Sequence, residues 1–391
     1  MSNYPRHRRT RLLLVVTATL LGALASGCVS NGGPGRAGSA DPQPTWELAA
    51  FVAPPPATSS TAAVTAGRGS RFGVTPMPAR RGTPRAAGQL HFAPSSFFYA
   101  NVKGAPVAPD SPALVAHLSQ TVTDRYNGVA ALNVDRYNVS FYVAPPGTPR
   151  TTVRFNDCQN KGWFDPQLKR AFADVPIPSG AVAAAGGDKN LTVFDPSSDT
   201  MWEFWVAERD ASGWSACFGG RIDSVSTSPG YFLGGLGASA TGISMAGGMV
   251  SLADMKRGSI DHALYLALPD VRTWTNFSWP AQRSDGWSDD PASMPEGSRL
   301  RLDPAVNIDS LGLTPLGKMV AKAAQTYGFV VSDKSGAVTV MTESGAATAA
   351  ANGGVDPWVN LLDLTSKPSY TQLANFPWTR LQVLSPGWGK P

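Results

Sequence analysis

A carboxylate, an imidazole and a set of indoles are the side chains here best suited to chemistry. In Met201-Trp-Glu-Phe-Trp205 the two-residue period of a strand puts Met201, Glu203 and Trp205 on one face and Trp202 and Phe204 on the other. Glu203 then stands beside an indole. Sugar rings stack on indoles, and a carboxyl group can give or take a proton at a glycosidic oxygen. The plainer reading is that Trp202 and Phe204 fill a core while Glu203 points to solvent. Asp261-His262 is the second candidate. His262 sits where a loop enters a predicted strand, either as a general base near neutral pH or as a buried imidazole bonded to backbone.

Two reaction types use these groups differently. A glycosidase pairs Glu203 with a second acid across a cleft, for which Asp188, Asp261 and Asp285 are available. A polysaccharide lyase uses His262 or a Tyr as base and an Arg to stabilise the substrate carboxylate. Arg299, Arg301 and Asp303 share one predicted strand face, opposite Leu300 and Leu302. The Arg pair suits a uronate carboxylate, or else forms a solvated row of cross-strand ion pairs. Trp279, Gln282, Arg283 and Asp285 lie in a Pro/Gly-containing loop, of the kind that lines glycan clefts or simply anchors itself. Glu203, His262, Asp261 and Asp188 are therefore the candidate catalytic groups. Trp205, Trp279, Gln282, Arg299 and Arg301 are the candidate substrate contacts.

Several chemistries find no support. No Gly-x-Ser-x-Gly elbow accompanies a Ser-His-Asp set, and Gly186-Gly187-Asp188 reads as a turn, not a phosphate loop. The Gly-rich run from Gly234 to Gly248 reads as a flexible crossover near the site. No metal site is assigned and no cofactor is expected. Calcium is the one ion that Asp285, Asp289 and Asp290 would suit, although their spacing does not match an EF-hand.

The elements that must position these residues are mostly strands. Tyr137–Val143, Thr151–Phe155, Leu191–Phe194, Thr200–Val206, His262–Leu268, Arg299–Leu302, Phe329–Ser332 and Val338–Met341 alternate or are rich in β-branched and aromatic residues. Helices are predicted from Ser111-Pro112 to Gly128, from a Ser251/Asp254 capping box to Gly258, and from Thr314-Pro315 to Gly328. The expected fold is mainly β, an antiparallel jelly-roll-like sandwich with a few packed helices. It spans residues 89–391, of which 89–180 form either an N-terminal subdomain or simply the first strands and helix.

The N-terminus carries an address. Arg6, Arg8, Arg9 and Arg11 precede the apolar run Leu12–Leu24, and Ala25-Ser-Gly27 leads into Cys28. This resembles a bacterial lipoprotein signal, although Ala25 stands where Leu is usual. The resemblance implies cleavage after residue 27 and a lipid on Cys28, holding the protein at the outer face of a cell membrane. Residues 28–88, rich in Gly, Pro and Ala, read as a flexible tether. The composition suggests a GC-rich host. Losing the four signal arginines takes the formal charge from +5 to +1, so the basic pI gives no support for nucleic-acid binding. Export permits a disulfide between the remaining Cys158 and Cys217, worth about 3–4 kcal/mol for a loop of about 60 residues.

Over roughly its second half the chain resembles a family of secreted bacterial proteins to which no activity is attached. The resemblance rests on Asp199-Thr-Met-Trp-Glu-Phe-Trp205, Gly258-Ser-Ile-Asp-His-Ala-Leu264, Trp279-Pro-Ala-Gln-Arg-Ser-Asp-Gly286 and Pro295-Glu-Gly-Ser-Arg-Leu-Arg-Leu-Asp303. It continues in Ala324-Gln-Thr-Tyr-Gly328 and Phe376-Pro-Trp378. Some members carry a His where this chain has Asn190. An aromatic-rich, weakly charged exported β protein fits carbohydrate better than phosphorylated metabolites. The expected partners are a polysaccharide or cell-wall glycan and, through the lipid, a membrane. The expected activity is that of a glycosidase or polysaccharide lyase. The alternative is a non-catalytic surface protein that binds glycan or builds the envelope.

Overall fold

The computed structural model describes residues 91–351 and 353–391. The signal segment, Cys28 and the tether lie outside these residues. The central element is a six-stranded sheet in the order β1 (Ala131–Asn133), β12 (Thr339–Met341), β9 (Leu264–Leu268), β11 (Phe329–Lys334), β10 (Arg299–Leu302), β13 (Leu381–Val383). A four-stranded sheet runs β2 (Ser140–Val143), β4 (Leu191–Asp195), β5 (Thr200–Trp205), β8 (Phe218–Ile222). A small third sheet joins β3 (Arg154–Phe155), β7 (Gly213–Ala216) and β6 (Glu208–Asp210). The helices are α1 (Ser111–Tyr126), α2 (Pro166–Ala171), α3 (Met245–Gly248), α4 (Leu252–Arg257), α5 (Pro315–Thr326), α6 (Ala346–Ala351) and α7 (Pro357–Leu361).

The central strands explain the layering. Leu-Tyr-Leu-Ala-Leu in β9 and Phe-Val-Val in β11 are apolar at every position, which is the mark of strands buried on both faces. Leu264, Leu266, Leu268, Phe329 and Val331 join one core, with Leu118 and Val122 of α1 and Leu316 and Val320 of α5. Tyr265, Ala267 and Val330 point the other way, into a second core with Leu191, Val193, Trp202 and Phe204 of the four-stranded sheet. Alternation along a strand thus sends successive side chains to two different cores.

The domain is β-rich with a few packed helices, as its composition of short apolar runs implies. The antiparallel arrangement does not hold throughout. β1–β12, β9–β11, β2–β4 and β3–β7 pair in parallel. An antiparallel jelly-roll-like sandwich has no such pairs, and the reason lies in the connections. Long segments carrying α2, α5 and other helices separate the partners, giving the chain room to return in the same direction. Within the described part of residues 89–180, β1, β2 and β3 each enter a different sheet.

Helix signals map closely. Ser251 and Asp254 form a reciprocal capping box and Gly258, at φ +75°, ends α4. The Thr314 hydroxyl accepts from Gly317 N at the start of α5. At α1 the cap is Asp110 without a side-chain bond, while the Ser111 hydroxyl accepts from Val383 N and ties the helix to β13. The disulfide between Cys158 and Cys217 is present.

Candidate functional site

Glu203 lies on β5 between β4 and β8, and the carboxyl is wholly buried. It accepts hydrogen bonds from Ser244 Oγ at 2.8 Å, Ala246 N at 3.1 Å and Met245 N at 3.2 Å. Burial lifts its pKa to about 7, against the pull of those donors. Glu203 therefore fixes the first turn of α3 to the sheet. It is neither the cleft acid nor the solvated side chain that strand alternation suggested. The Gly-rich run is correspondingly packed: a Cβ on Gly247 would come within 2.5 Å of the Phe98 ring.

His262 is buried too. Its Nδ1 lies 2.9 Å from the Ala263 carbonyl and its Nε2 3.3 Å from Asp254 Oδ2. Both ring nitrogens face acceptors inside the protein, so neither is placed to take a proton from a substrate. Asp261 is half exposed and pairs with Arg257 Nε at 3.2 Å. Asp188 accepts from Trp205 Nε1 at 3.2 Å, and its carbonyl accepts from Val206 N. The two Asp188 contacts close the end of β5, well separated in sequence and in role from His262.

The arginines are structural clamps. Arg299 donates to the carbonyls of Phe97 and Tyr327 and lies over the rings of Phe97 and Trp388. Burial lowers its pKa to about 10. Arg301 Nη1 donates to the carbonyls of Val102, Lys103 and Ala105, and its Nε to Gln382 Oε1. Both are nearly inaccessible, so the uronate-binding role is corrected to one of holding residues 97–105 on the sheet. Trp279 packs edge-on against Phe97, and Gln282 Nε2 donates to the Pro280 carbonyl. Of the acids considered for calcium, Asp290 accepts from Ala292 N and faces His117, and Asp289 is not gathered with Asp285 among the described residues.

What the structure gathers instead is a groove of about 480 Å³ lined by Phe92, Phe141, Tyr142, Lys256, His262 and Glu343, with Asp254 at its wall. Glu343 follows β12. Its Oε2 accepts from Leu252 N at 2.8 Å, and burial lifts its pKa to about 7 despite that donor. Asp254 behaves oppositely. Burial acts to raise it, but the His262 ring and the Ser251 hydroxyl and N–H outweigh that and hold it well below the usual carboxylate range. Arg257 also bonds its other oxygen. The groove thus sets a carboxyl whose pKa is raised to about 7 beside one held well below the usual range. Such a separation is what acid and base roles require. Glu343 has no sequence signature: it is one acid after an apolar strand, and only the Val250 and Leu252 backbone shows what holds it at the groove.

A second surface was also hidden. Trp274 and Trp287 are 54% and 56% exposed, and Phe277 is 43% exposed. The loop is held as a ladder: Trp274 N donates to Gly286 O at 2.8 Å and Thr273 N to Ser288 O at 2.8 Å. Sequence alone pointed to the neighbouring Trp279, which is the half-buried anchor of the same loop, packed against the core. No family model, no curated protein and no solved structure matches the chain. Among the described residues no helix is long and apolar enough to cross a membrane.

Proposed function

We propose that this is an exported envelope protein, held to a membrane by a lipid on Cys28, that binds carbohydrate without transforming it. The observation that carries the reading is the pair of exposed indoles, Trp274 and Trp287, on one hydrogen-bonded loop. Indole faces presented on a braced backbone suit stacking against sugar rings at little entropic cost. The dispersal of Glu203, His262, Asp188, Arg299 and Arg301 into separate structural roles supports binding over turnover by those groups. The Cys158–Cys217 disulfide supports an oxidising compartment and hence export. The test is retention of the full chain on immobilised bacterial and plant polysaccharides. Trp274→Ala and Trp287→Ala should each weaken binding roughly 2–10-fold, as expected for about 0.5–1.5 kcal/mol per aromatic contact. Undiminished retention of the double variant would overturn the reading.

One observation favours catalysis instead: Glu343, its pKa raised, beside Asp254, its pKa depressed, in an aromatic-lined groove. In that reading Glu343 is the general acid of a glycoside hydrolase. Release of reducing ends by the parent, abolished in a folded Glu343→Gln variant, would establish it over simple binding.

A further inference from the structure

Away from the groove, Asp285, Glu296 and Asp333 each bring a carboxylate oxygen within 4.8 Å of the other two. Three different elements deliver them. Asp333 stands on β11 at a register shift against β9, a bulge that re-aims its side chain so that Oδ2 accepts from the Tyr265 hydroxyl at 2.8 Å. Glu296 lies in the turn before β10, and its Oε2 accepts from Asp285 N at 3.1 Å. Asp285 comes from the aromatic loop itself and is half exposed, giving the cluster an opening to solvent.

The decisive feature is Glu296. The residue is fully buried, yet its Oε1 has no hydrogen-bond partner among the described residues. A buried carboxylate oxygen without a donor is costly, and native structures seldom leave one without a function. Two cations face the three carboxylates: the Lys334 ammonium, and the buried Arg283 guanidinium, whose charge acts on all three. Lys334 Nζ lies 3.2 Å from Asp285 Oδ2, and the Arg283 guanidinium spends its Nη2 on the carbonyls of Gly237 and Ser239. Burial, with the charges of Asp285 and Asp333, pushes Glu296 up to about 8. Burial, again with Asp285, pushes Asp333 to about 7. These carboxylates would be relieved by either a proton or a cation.

We infer that Asp285, Glu296 and Asp333 form a binding site for a divalent cation, with calcium the best fit. Two oxygens on one calcium at 2.3–2.6 Å are separated by at most about 5 Å, which all three pairs satisfy. Magnesium, at about 2.0–2.1 Å, requires a tighter set. A bound ion would tie the aromatic loop, through Asp285, to the central sheet, through Asp333. This site differs from the Asp285, Asp289 and Asp290 set, since only Asp285 is shared.

The test is calorimetric titration of the metal-free full-length chain with calcium chloride, with sodium chloride at matched ionic strength as reference. Saturable binding near one ion per chain is expected, weakened at least tenfold in Asp285→Asn and in Glu296→Gln and unchanged in Asp289→Asn. Terbium luminescence sensitised through Tyr265 provides a second readout, lost in Tyr265→Phe if the ion sits at this site. The inference is overturned if no saturable calcium binding occurs beyond the sodium reference. It is equally overturned if Asp285→Asn, whose exposed side chain makes misfolding no explanation, binds calcium like the parent.

Discussion

Asp254 Oδ2 lies 3.3 Å from His262 Nε2 and at the same time closes the capping box of α4 by accepting from Ser251 N at 2.9 Å. One carboxylate therefore joins a helix start to the loop that leads into β9. Replacing it by Asn keeps the shape but removes the charge facing the His262 ring and Arg257. Breaking a buried pair from one side typically costs about 3–5 kcal/mol. Asp254→Asn is expected near the lower end, because Arg257 is partly solvated, and urea unfolding checks it. Because the folded Asp254 is depressed, its stabilising contribution is present above the unfolded value and lost as acid titrates it below about pH 4. The variant should flatten the acid limb of stability against pH.

Glu203 carries the opposite sign. Its folded pKa of about 7 exceeds the unfolded value of 4.5. Stability linked to the proton is thus full below the unfolded value and declines as pH rises through about 7. Glu343, Asp333 and Glu296 are raised in the same direction, so the domain should lose stability between about pH 5 and pH 8. Thermal melts across that range test the sign. Glu203→Gln should reduce the slope but lower stability at pH 5 by about 1–3 kcal/mol, since its amide nitrogen would face a backbone N–H.

Arg301 tests the clamp. Arg301→Ala leaves the carbonyls of Val102, Lys103 and Ala105 without their donor, so a loss of about 2–4 kcal/mol is expected. Hydrogen exchange should rise first in residues 97–105. Protection unchanged in that segment would show that Arg301 does not hold it.

The disulfide spans 59 positions and joins the segment after β3 to the one between β7 and β8. Reduction should lower stability by about 3–4 kcal/mol, read as a shift in the denaturant midpoint with and without reductant.

Legibility in the sequence followed the range of the forces involved. The strands β4, β5, β9, β10, β11 and β12 and the caps of α4 and α5 arise from local periodicity and local hydrogen bonds, and short windows reveal them. β13 was not among the predicted strands, because its strand character comes from pairing with β10. The parallel pairings are equally nonlocal. The candidate site fared worse for a specific reason. Glu203, His262, Arg299 and Arg301 resemble catalytic groups in type, yet each is buried with partners supplied from 40 to 200 positions away or by its own neighbours. Glu343 and Glu296 acquire their character only from such distant surroundings.

The central sheet has β1 at one edge and β13 at the other, the first and the last strands among the described residues. A polypeptide threaded through a membrane from its N-terminus cannot complete this sheet until nearly all of it has crossed. β9 would meet β11 and β12 only late, and β10 would wait for β13. Under the export proposed above, the layout favours a chain that stays unfolded during translocation and assembles afterwards, slowly.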